Sequence, residues 1–371
     1  MPKFIKIKEL PKAHLDAMGY TWHNDEDGEY IVKDKFIAVT QAEVDAYVVA
    51  SNELYEMYER GAEYVIEHKL YDALDIPSGL IAEIERSFKE ERGNHLYGRF
   101  DLSGGIDGKP IKLIEFNADT PTLLLESAAI QELMLRFHHD VSLKQFNTIY
   151  SSIAEKFVKI SETKNGPFSK FLFSSVEGIQ EEEITVKFLE DMAKSRGLIT
   201  VFEVLEECEE SMPYDFWFKL YPWEDMPNFC TNTETAMLNP AFTLLYQSKG
   251  MLAILYELFP DSPYLLKTSF EPIKEKYVKK RMFGREGANI DIVENGEILL
   301  QTDGIYEEYK AVYQEYVDFV RDESGKYYQA GVFYSDGACG LSFRRGEEIL
   351  DDMSEFVAHA IRESKFNFQE L

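Results

Sequence analysis

The sequence predicts a mixed α/β (α+β) fold, and two stretches carry that prediction. In the first, apolar runs at 96–102 and 111–116 flank a Gly-Gly-Ile-Asp-Gly-Lys-Pro turn, the pattern of an antiparallel β-hairpin. In the second, an apolar strand at 169–176 leads through Glu177-Gly178-Ile179-Gln180 into a helix at 181–195. Gly197 and a strand at 198–205 follow. A strand–helix–strand unit of this kind argues for parallel strands covered by a helical layer.

The other elements follow in order. Residues 1–40 read as short strands and turns with a polar tip at Asn24-Asp25-Glu26-Asp27-Gly28. Thr40 suits an N-cap, and Val44, Tyr47, Leu54, Met57 and Tyr58 recur at helical spacing, which predicts a helix over 40–69. Ile76-Pro77-Ser78-Gly79 breaks the run before a second helix over 80–91. After the hairpin, helices are predicted over 122–136 and 142–163. Residues 216–221 form a further strand, and 240–258 a helical region ending at Phe259-Pro260. The last third is rich in strands: 277–280, 290–293, a turn at Asn295-Gly296, 298–301, 312–320, 327–334 and 340–344. A terminal helix is predicted over 351–362.

Composition bounds the function. The 371 residues exceed one simple core, and 45% hydrophobic with 14% aromatic content supports a large packed interior. The formal net charge of −28 disfavours nonspecific binding to nucleic acid or to an anionic membrane. A phosphate ligand needs only a local cluster of cations and stays open. Cys208, Cys230 and Cys339 are far apart, so neither a zinc site nor a disulfide framework is indicated. No run of about 18 apolar residues occurs, and a cytoplasmic, soluble protein is expected.

Alternate residues of a strand share a face. Arg99 and Asp101 therefore point one way on the first hairpin strand, as Glu115 and Asn117 do on the second. In a suitable register, three hard oxygen ligands and one guanidinium converge, a grouping that suits Mg²⁺ bound to phosphates. A polar outer face on an ordinary hairpin is the other reading. Residues 280–289 resemble a lid between two antiparallel strands. Gly284 and Gly287 let backbone amides approach a polyphosphate, and Arg285 adds charge. It is neither a Walker A loop nor a dinucleotide fingerprint. Lys249 and Lys280 either snorkel to solvent or hold a nucleotide phosphate.

Gly98-Arg99-Phe100-Asp101, Ile114-Glu115-Phe116-Asn117-Ala118-Asp119-Thr120-Pro121-Thr122, Val278-Lys279-Lys280 and Gly284-Arg285-Glu286-Gly287-Ala288-Asn289-Ile290 occur in that order. Together they resemble the glutathionylspermidine synthase family, in its permuted ATP-grasp synthetase part and without the N-terminal amidase domain. The resemblance implies an ATP-grasp-type synthetase with a pre-ATP-grasp βαβ subdomain. It also implies ATP and Mg²⁺ as cofactors, with Asp101, Glu115 and Asn117 as metal ligands. Lys249 and Lys280 would contact phosphates, Arg344 would close the site, and Gln314, Glu315 and Tyr316 would lie where a hinge meets adenine. Arg99, Thr120 and Thr122 would hold the carboxylate substrate. Glu181 and Glu182 match paired acids facing a peptide substrate, although first-turn helix acids are an equally simple account of them. Residues 177–230 match loosely.

The implied activity is an ATP-dependent carboxylate–amine ligase that works through an acylphosphate. Its substrates would be a glutathione-like peptide or other small acid and a polyamine or amino compound. Arg99, Arg285 and Arg344 would act in catalysis, with no side-chain nucleophile and with structural cysteines and histidines. The expected subdivisions are 1–164 with the hairpin, 165–240 with the βαβ unit, and 241–371 with the nucleotide part and lid, in a monomer or homodimer. A non-catalytic nucleotide-binding module and a phosphotransferase are the alternatives.

Overall fold

Phe100 and Phe116 stack at 3.9 Å across the hairpin, whose strands are Gly98–Ser103 and Lys112–Asn117. Their shared face is sealed by Tyr58, which meets both rings from the long helix Gln41–His68. Each fully buried ring contributes roughly 1.5–3 kcal/mol by leaving water, so this face fixes the pleat. The opposite face, carrying Arg99, Asp101, Glu115 and Asn117, must then look away from the helix. A computed structural model describes residues 1–21, 24–25, 28–208, 213–226 and 235–362 of the chain. Glu26, Asp27 and Cys230 lie outside the described residues.

Thr40 caps the long helix as the sequence predicts. Its backbone N–H donates to Glu43 Oε2 at 2.7 Å, and its hydroxyl accepts from the Glu43 N–H at 3.2 Å. The hairpin turn depends on Gly104, at φ +75°, where an added Cβ would stand 2.0 Å from the Pro110 carbonyl oxygen.

The hairpin lies at one end of a mainly antiparallel sheet. The strand Tyr327–Tyr334 pairs with Gly98–Ser103 on one side and Ala338–Gly346 on the other, and Glu355–Val357 closes the far edge. A second sheet is parallel, in the order Ala236–Leu238, Phe216–Leu220, Lys170–Ser175, Ile199–Val204. The helix Gln180–Lys194 connects its last two strands, so the predicted βαβ unit is present. A third, antiparallel sheet runs Thr268–Ser269, Ala311–Glu315, Tyr277–Arg281, Asp291–Glu294, Glu297–Gln301. The architecture is mixed α/β, as expected.

Several elements depart from the sequence reading. Residues 351–362 are not helical. Glu355–Val357 and His359–Arg362 are strands, and the latter pairs in parallel with Lys35–Val39. Local apolar content at Phe356, Val357, Ala360 and Ile361 suits either state, and pairing decides it: Glu355–Val357 with Ala338–Gly346, and His359–Arg362 with Lys35–Val39, more than 300 residues away. The helix expected over 142–163 is shorter, Ile149–Ser161, because Leu143–Lys144 is taken into that same sheet. The strand expected over 312–320 divides into Ala311–Glu315 and Val320–Arg321, which belong to different sheets. Within the first forty residues lies an unexpected short helix, Lys12–Ala17. The helical region 240–258 breaks between Thr243–Gln247 and Met251–Leu258, and Lys249 sits in that break.

Candidate active site

Register decides whether the hairpin's polar face is a site. Asp101 pairs directly with Glu115, and Arg99 with Asn117. Residues opposite each other in antiparallel strands have their Cβ atoms about 5 Å apart, so these side chains share one patch. Asn117 Nδ2 reaches Asp101 Oδ2 at 3.2 Å and Glu115 Oε1 at 3.3 Å. Arg99 grips Asp101 with two bonds, Nε to Oδ1 at 2.6 Å and Nη2 to Oδ2 at 2.8 Å. Its Nη1 donates to the Thr122 carbonyl at 2.7 Å.

These residues line one side of a cleft, and Val278, Lys280 and Gln314 of the third sheet line another. Lys249 Nζ stands 3.0 Å from Glu115 Oε2 and donates to the Gly284 carbonyl at 2.6 Å. Lys280 Nζ donates to Gln314 Oε1 at 2.7 Å and to the Ile114 carbonyl at 3.2 Å. A bulge between Asp101 and Leu102 causes the last contact: Leu102 pairs with Leu113, so Ile114 is the extra residue and its carbonyl is open to the lysine. Burial pulls the Lys280 ammonium down to about 8, with Lys249 adding to the fall and Glu115 opposing it. Burial would raise the Glu115 carboxyl, but Lys249 and Lys280 outweigh it and hold the group at about 2.

The Gly-rich loop bends over this floor from between the antiparallel strands Tyr277–Arg281 and Asp291–Glu294. Gly287, at φ +70°, packs so closely that an added Cβ would lie 2.5 Å from the Leu350 carbonyl oxygen. Arg285 lines the cleft and makes an ion pair with buried Glu224. Arg344 enters from Ala338–Gly346. Its Nη2 donates to the carbonyls of Asp351, Asp352 and Ser354, and its Nε has no hydrogen-bond partner among the described residues. Thr120, Thr122, Gly284, Gly287, Glu315 and Tyr316 also border the cleft. The Gln314 side chain is committed to Lys280 and to the Leu113 carbonyl.

Glu181 and Glu182 do not border the cleft. They lie in the first turn of Gln180–Lys194. Burial raises the Glu181 carboxyl to about 7, with Glu126, Glu286 and Glu182 adding to the rise and Arg344 opposing it. Glu286 and Arg344 line the cleft, so the Glu181 carboxyl is electrostatically coupled to that lining. Glu126 accompanies it, buried, accepting from the Tyr20 hydroxyl at 2.8 Å and opening a π turn at Glu126–Ile130. The sequence reading missed Glu126, Glu224 and Gln247. Gln247 Oε1 accepts from the Ala118 and Asp119 amides at 2.9 and 3.3 Å, fixing the end of the second hairpin strand. Its place two residues before Lys249 was the available signal.

The oxygen set suits a shared Mg²⁺ better than a metal held by protein alone. Among the described residues no group of three or more His, Cys, Asp or Glu side chains is arranged to hold a metal. Mg²⁺ uses one or two carboxylates when phosphates complete its shell, and the paired Asp101 and Glu115 supply two. Among the described residues, too, no helix is long and apolar enough to cross a membrane.

The family model described as glutathionylspermidine synthase preATP-grasp matches residues 3–362. A Haemophilus influenzae protein described as "Putative acid--amine ligase" is 28% identical over 375 residues, covering 92% of this chain and 94% of that protein. The bifunctional glutathionylspermidine synthetase/amidase of Escherichia coli is 25% identical over 394 residues, covering 94% of this chain. The match spans 61% of that enzyme's length. In fold, the chain is similar to a glutathione synthetase-like effector from Globodera pallida. The TM-score is 0.58 at 12% identity, with 95% of this chain and 98% of that one covered.

Proposed function

The chain belongs to the glutathionylspermidine synthase family, and from that premise we propose that it is an ATP-dependent carboxylate–amine ligase acting through an acylphosphate. One observation carries the proposal. Asp101, Glu115 and Asn117 face Lys249 and Lys280 across a single cleft roofed by the Gly-rich loop.

A carboxylate is a weak electrophile toward an amine until its oxygen becomes a good leaving group. In the proposed first step, a carboxylate oxygen bonds to the γ-phosphorus of ATP, and the bond from that phosphorus to the bridging oxygen breaks to give ADP. Lys249, Lys280 and Arg285 hold the charge that gathers on the phosphoryl oxygens. Asp101, Glu115 and Asn117 would hold Mg²⁺, which adds positive charge at the same oxygens. Arg99, its fork set by Asp101 and Thr122, orients the acid. In the second step an amine nitrogen bonds to the acyl carbon, inorganic phosphate departs, and the amine proton leaves with phosphate or solvent.

Among the described residues no Cys, His or Ser lines the cleft, which favours activation of the substrate over acylation of the protein. The loop 284–289 would exclude water, since an acylphosphate hydrolyses readily. The acid is proposed to be a small or peptide-like carboxylate, and the amine a polyamine or amino compound.

The test is a screen of acid and amine pairs with MgATP, following ADP and the mass of the condensed product. ADP release that needs both substrates, and a hydroxamate when hydroxylamine replaces the amine, are expected. A stable phosphoester would mark a phosphotransferase. Nucleotide binding without turnover on any pair would mark a binding module.

A further inference from the structure

Arg285 in the loop is held from below. Its partner Glu224 has a side chain only 1% exposed and lies in the turn Trp223–Asp225, just beyond the parallel-sheet strand Phe216–Leu220. The Trp223 backbone N–H donates to Asp119 Oδ2 at 2.8 Å. Asp119 in turn faces Lys219 at 3.5 Å, both side chains fully enclosed. The Lys219 ammonium lies 4.2 Å above the Trp223 ring. Two acid–base pairs thus meet at one turn.

This arrangement is costly. Burial raises the carboxyls of Asp119 and Glu224 and lowers the Lys219 ammonium. Asp119 Oδ1 and Glu224 Oε2 have no hydrogen-bond partner among the described residues. Apolar side chains of the same volume would serve stability at least as well, so packing alone does not account for it. What the charges do provide is direction. Asp119 lies two residues beyond Asn117 on the hairpin, Lys219 belongs to the parallel sheet, and Arg285 belongs to the loop over the cleft. The turn carrying Glu224 touches all three.

We infer that Glu224 is a positioning residue. It aims the Arg285 guanidinium into the cleft, and the Asp119–Lys219 pair holds the turn from which it does so. Glu224 takes one Nη of the Arg285 fork, and a planar guanidinium held on one edge has its remaining donors set in direction. The loop arginine is then correctly placed only when the parallel sheet is seated against the hairpin. This rests on the proposed phosphoryl-transfer role of the cleft.

The test uses the full chain and the variants Glu224→Gln, Arg285→Gln, their combination and Asp225→Asn, an exposed neighbour on the same turn. Three readouts are taken: hydrogen exchange of residues 282–290 without ligand, MgATP affinity, and steady-state kinetics. Glu224→Gln should speed loop exchange about tenfold by releasing a local contact. It should lower kcat by about 10²-fold, the scale of one lost transition-state donor, and leave the KM for the amine unchanged. The combined variant should be no worse than Arg285→Gln, and Asp225→Asn should match the unaltered protein.

Unchanged loop exchange in Glu224→Gln, or effects of the two variants that multiply, would overturn the inference. If Glu224→Gln does not fold, Arg285→Gln decides: faster loop exchange supports the contact, and unchanged exchange removes it. If the unaltered protein binds MgATP but joins no acid–amine pair, the ligase reading fails, while loop exchange still tests Glu224 separately.

Discussion

Lys249 and Glu115 meet at the floor of the cleft with 3.0 Å between Nζ and Oε2. The lysine also ties this floor to the loop through the Gly284 carbonyl. Glu115 is therefore held for charge. Its carboxyl sits at about 2, below the ordinary 4.5. A depressed carboxyl stabilises the fold above its unfolded value, and that contribution is lost as pH falls through the folded one. Glu115→Gln should abolish turnover and lower stability modestly at neutral pH. The stability gap to the unaltered protein should narrow below pH 4.5 and close toward about 2. Urea titrations over that range would show it, and a gap that stays constant with pH would contradict the pairing.

Lys280 titrates in the opposite sense. Burial brings its ammonium down to about 8, so the cation predominates below that pH and fades above it. Bound polyphosphate favours the charged form, so nucleotide binding near pH 8 should take up a proton. ATP affinity should decline as pH rises through this value. Calorimetry in buffers of different ionisation enthalpy measures the uptake directly. Lys280→Arg should flatten the decline, since a guanidinium stays charged. Lys280→Ala should weaken ATP binding at least tenfold, on the scale of about 2–5 kcal/mol for losing one partner of a buried charge pair. An affinity that ignores pH between neutral and about 9 would remove Lys280 from the phosphate site.

Arg99 offers a third test. Its two bonds to Asp101 and one to the Thr122 carbonyl need a planar fork, which lysine lacks. Arg99→Lys should raise the KM for the acid about tenfold or more while the KM for ATP stays within about twofold, the pattern of lost ground-state binding. Equal losses for both substrates would instead point to a collapsed hairpin face.

Much of this site was legible because its parts are local. Strand alternation alone placed Arg99 with Asp101 and Glu115 with Asn117, and a Gly-containing turn fixed that the two strands pair. The pairing register was not legible, nor was the bulge that opens the Ile114 carbonyl to Lys280. The fate of residues 351–362 was hidden for a related reason. Phe356 and Ile361 suit a buried helix face as well as a strand, and only the ladders to Ala338–Gly346 and Lys35–Val39 decide. Glu224 left no trace in the sequence, because an acid in a Pro-Trp-Glu-Asp turn looks like any solvated turn until Arg285 is found against it.

The last prediction separates Glu181 from Glu182, which the sequence treats as a pair. Both are first-turn acids of Gln180–Lys194, where the helix dipole favours negative charge. Their surroundings differ. Glu181 shares the field of Glu126 and of the cleft residues Glu286 and Arg344, whereas Glu182 is raised mainly by burial, with Val176 and Glu206 beside it near the end of the parallel sheet. Glu182 Oε2 has no hydrogen-bond partner among the described residues. On the proposed reading, Glu181 receives an ammonium group of the acid substrate while Arg99 holds its carboxylate. The Glu181 carboxyl sits at about 7, so it is protonated below that pH and charged above it. An ammonium prefers the charged form, so affinity for the acid substrate should rise as pH climbs through about 7. Glu181→Gln should erase that rise and increase the KM for the acid, leaving the KM for ATP nearly unchanged. Glu182→Gln should shift the melting temperature and keep the kinetics. If both variants lose only stability, the two acids serve the helix. If both lose acid binding equally, the division between cleft and sheet is wrong, and Glu182 must reach the substrate as well.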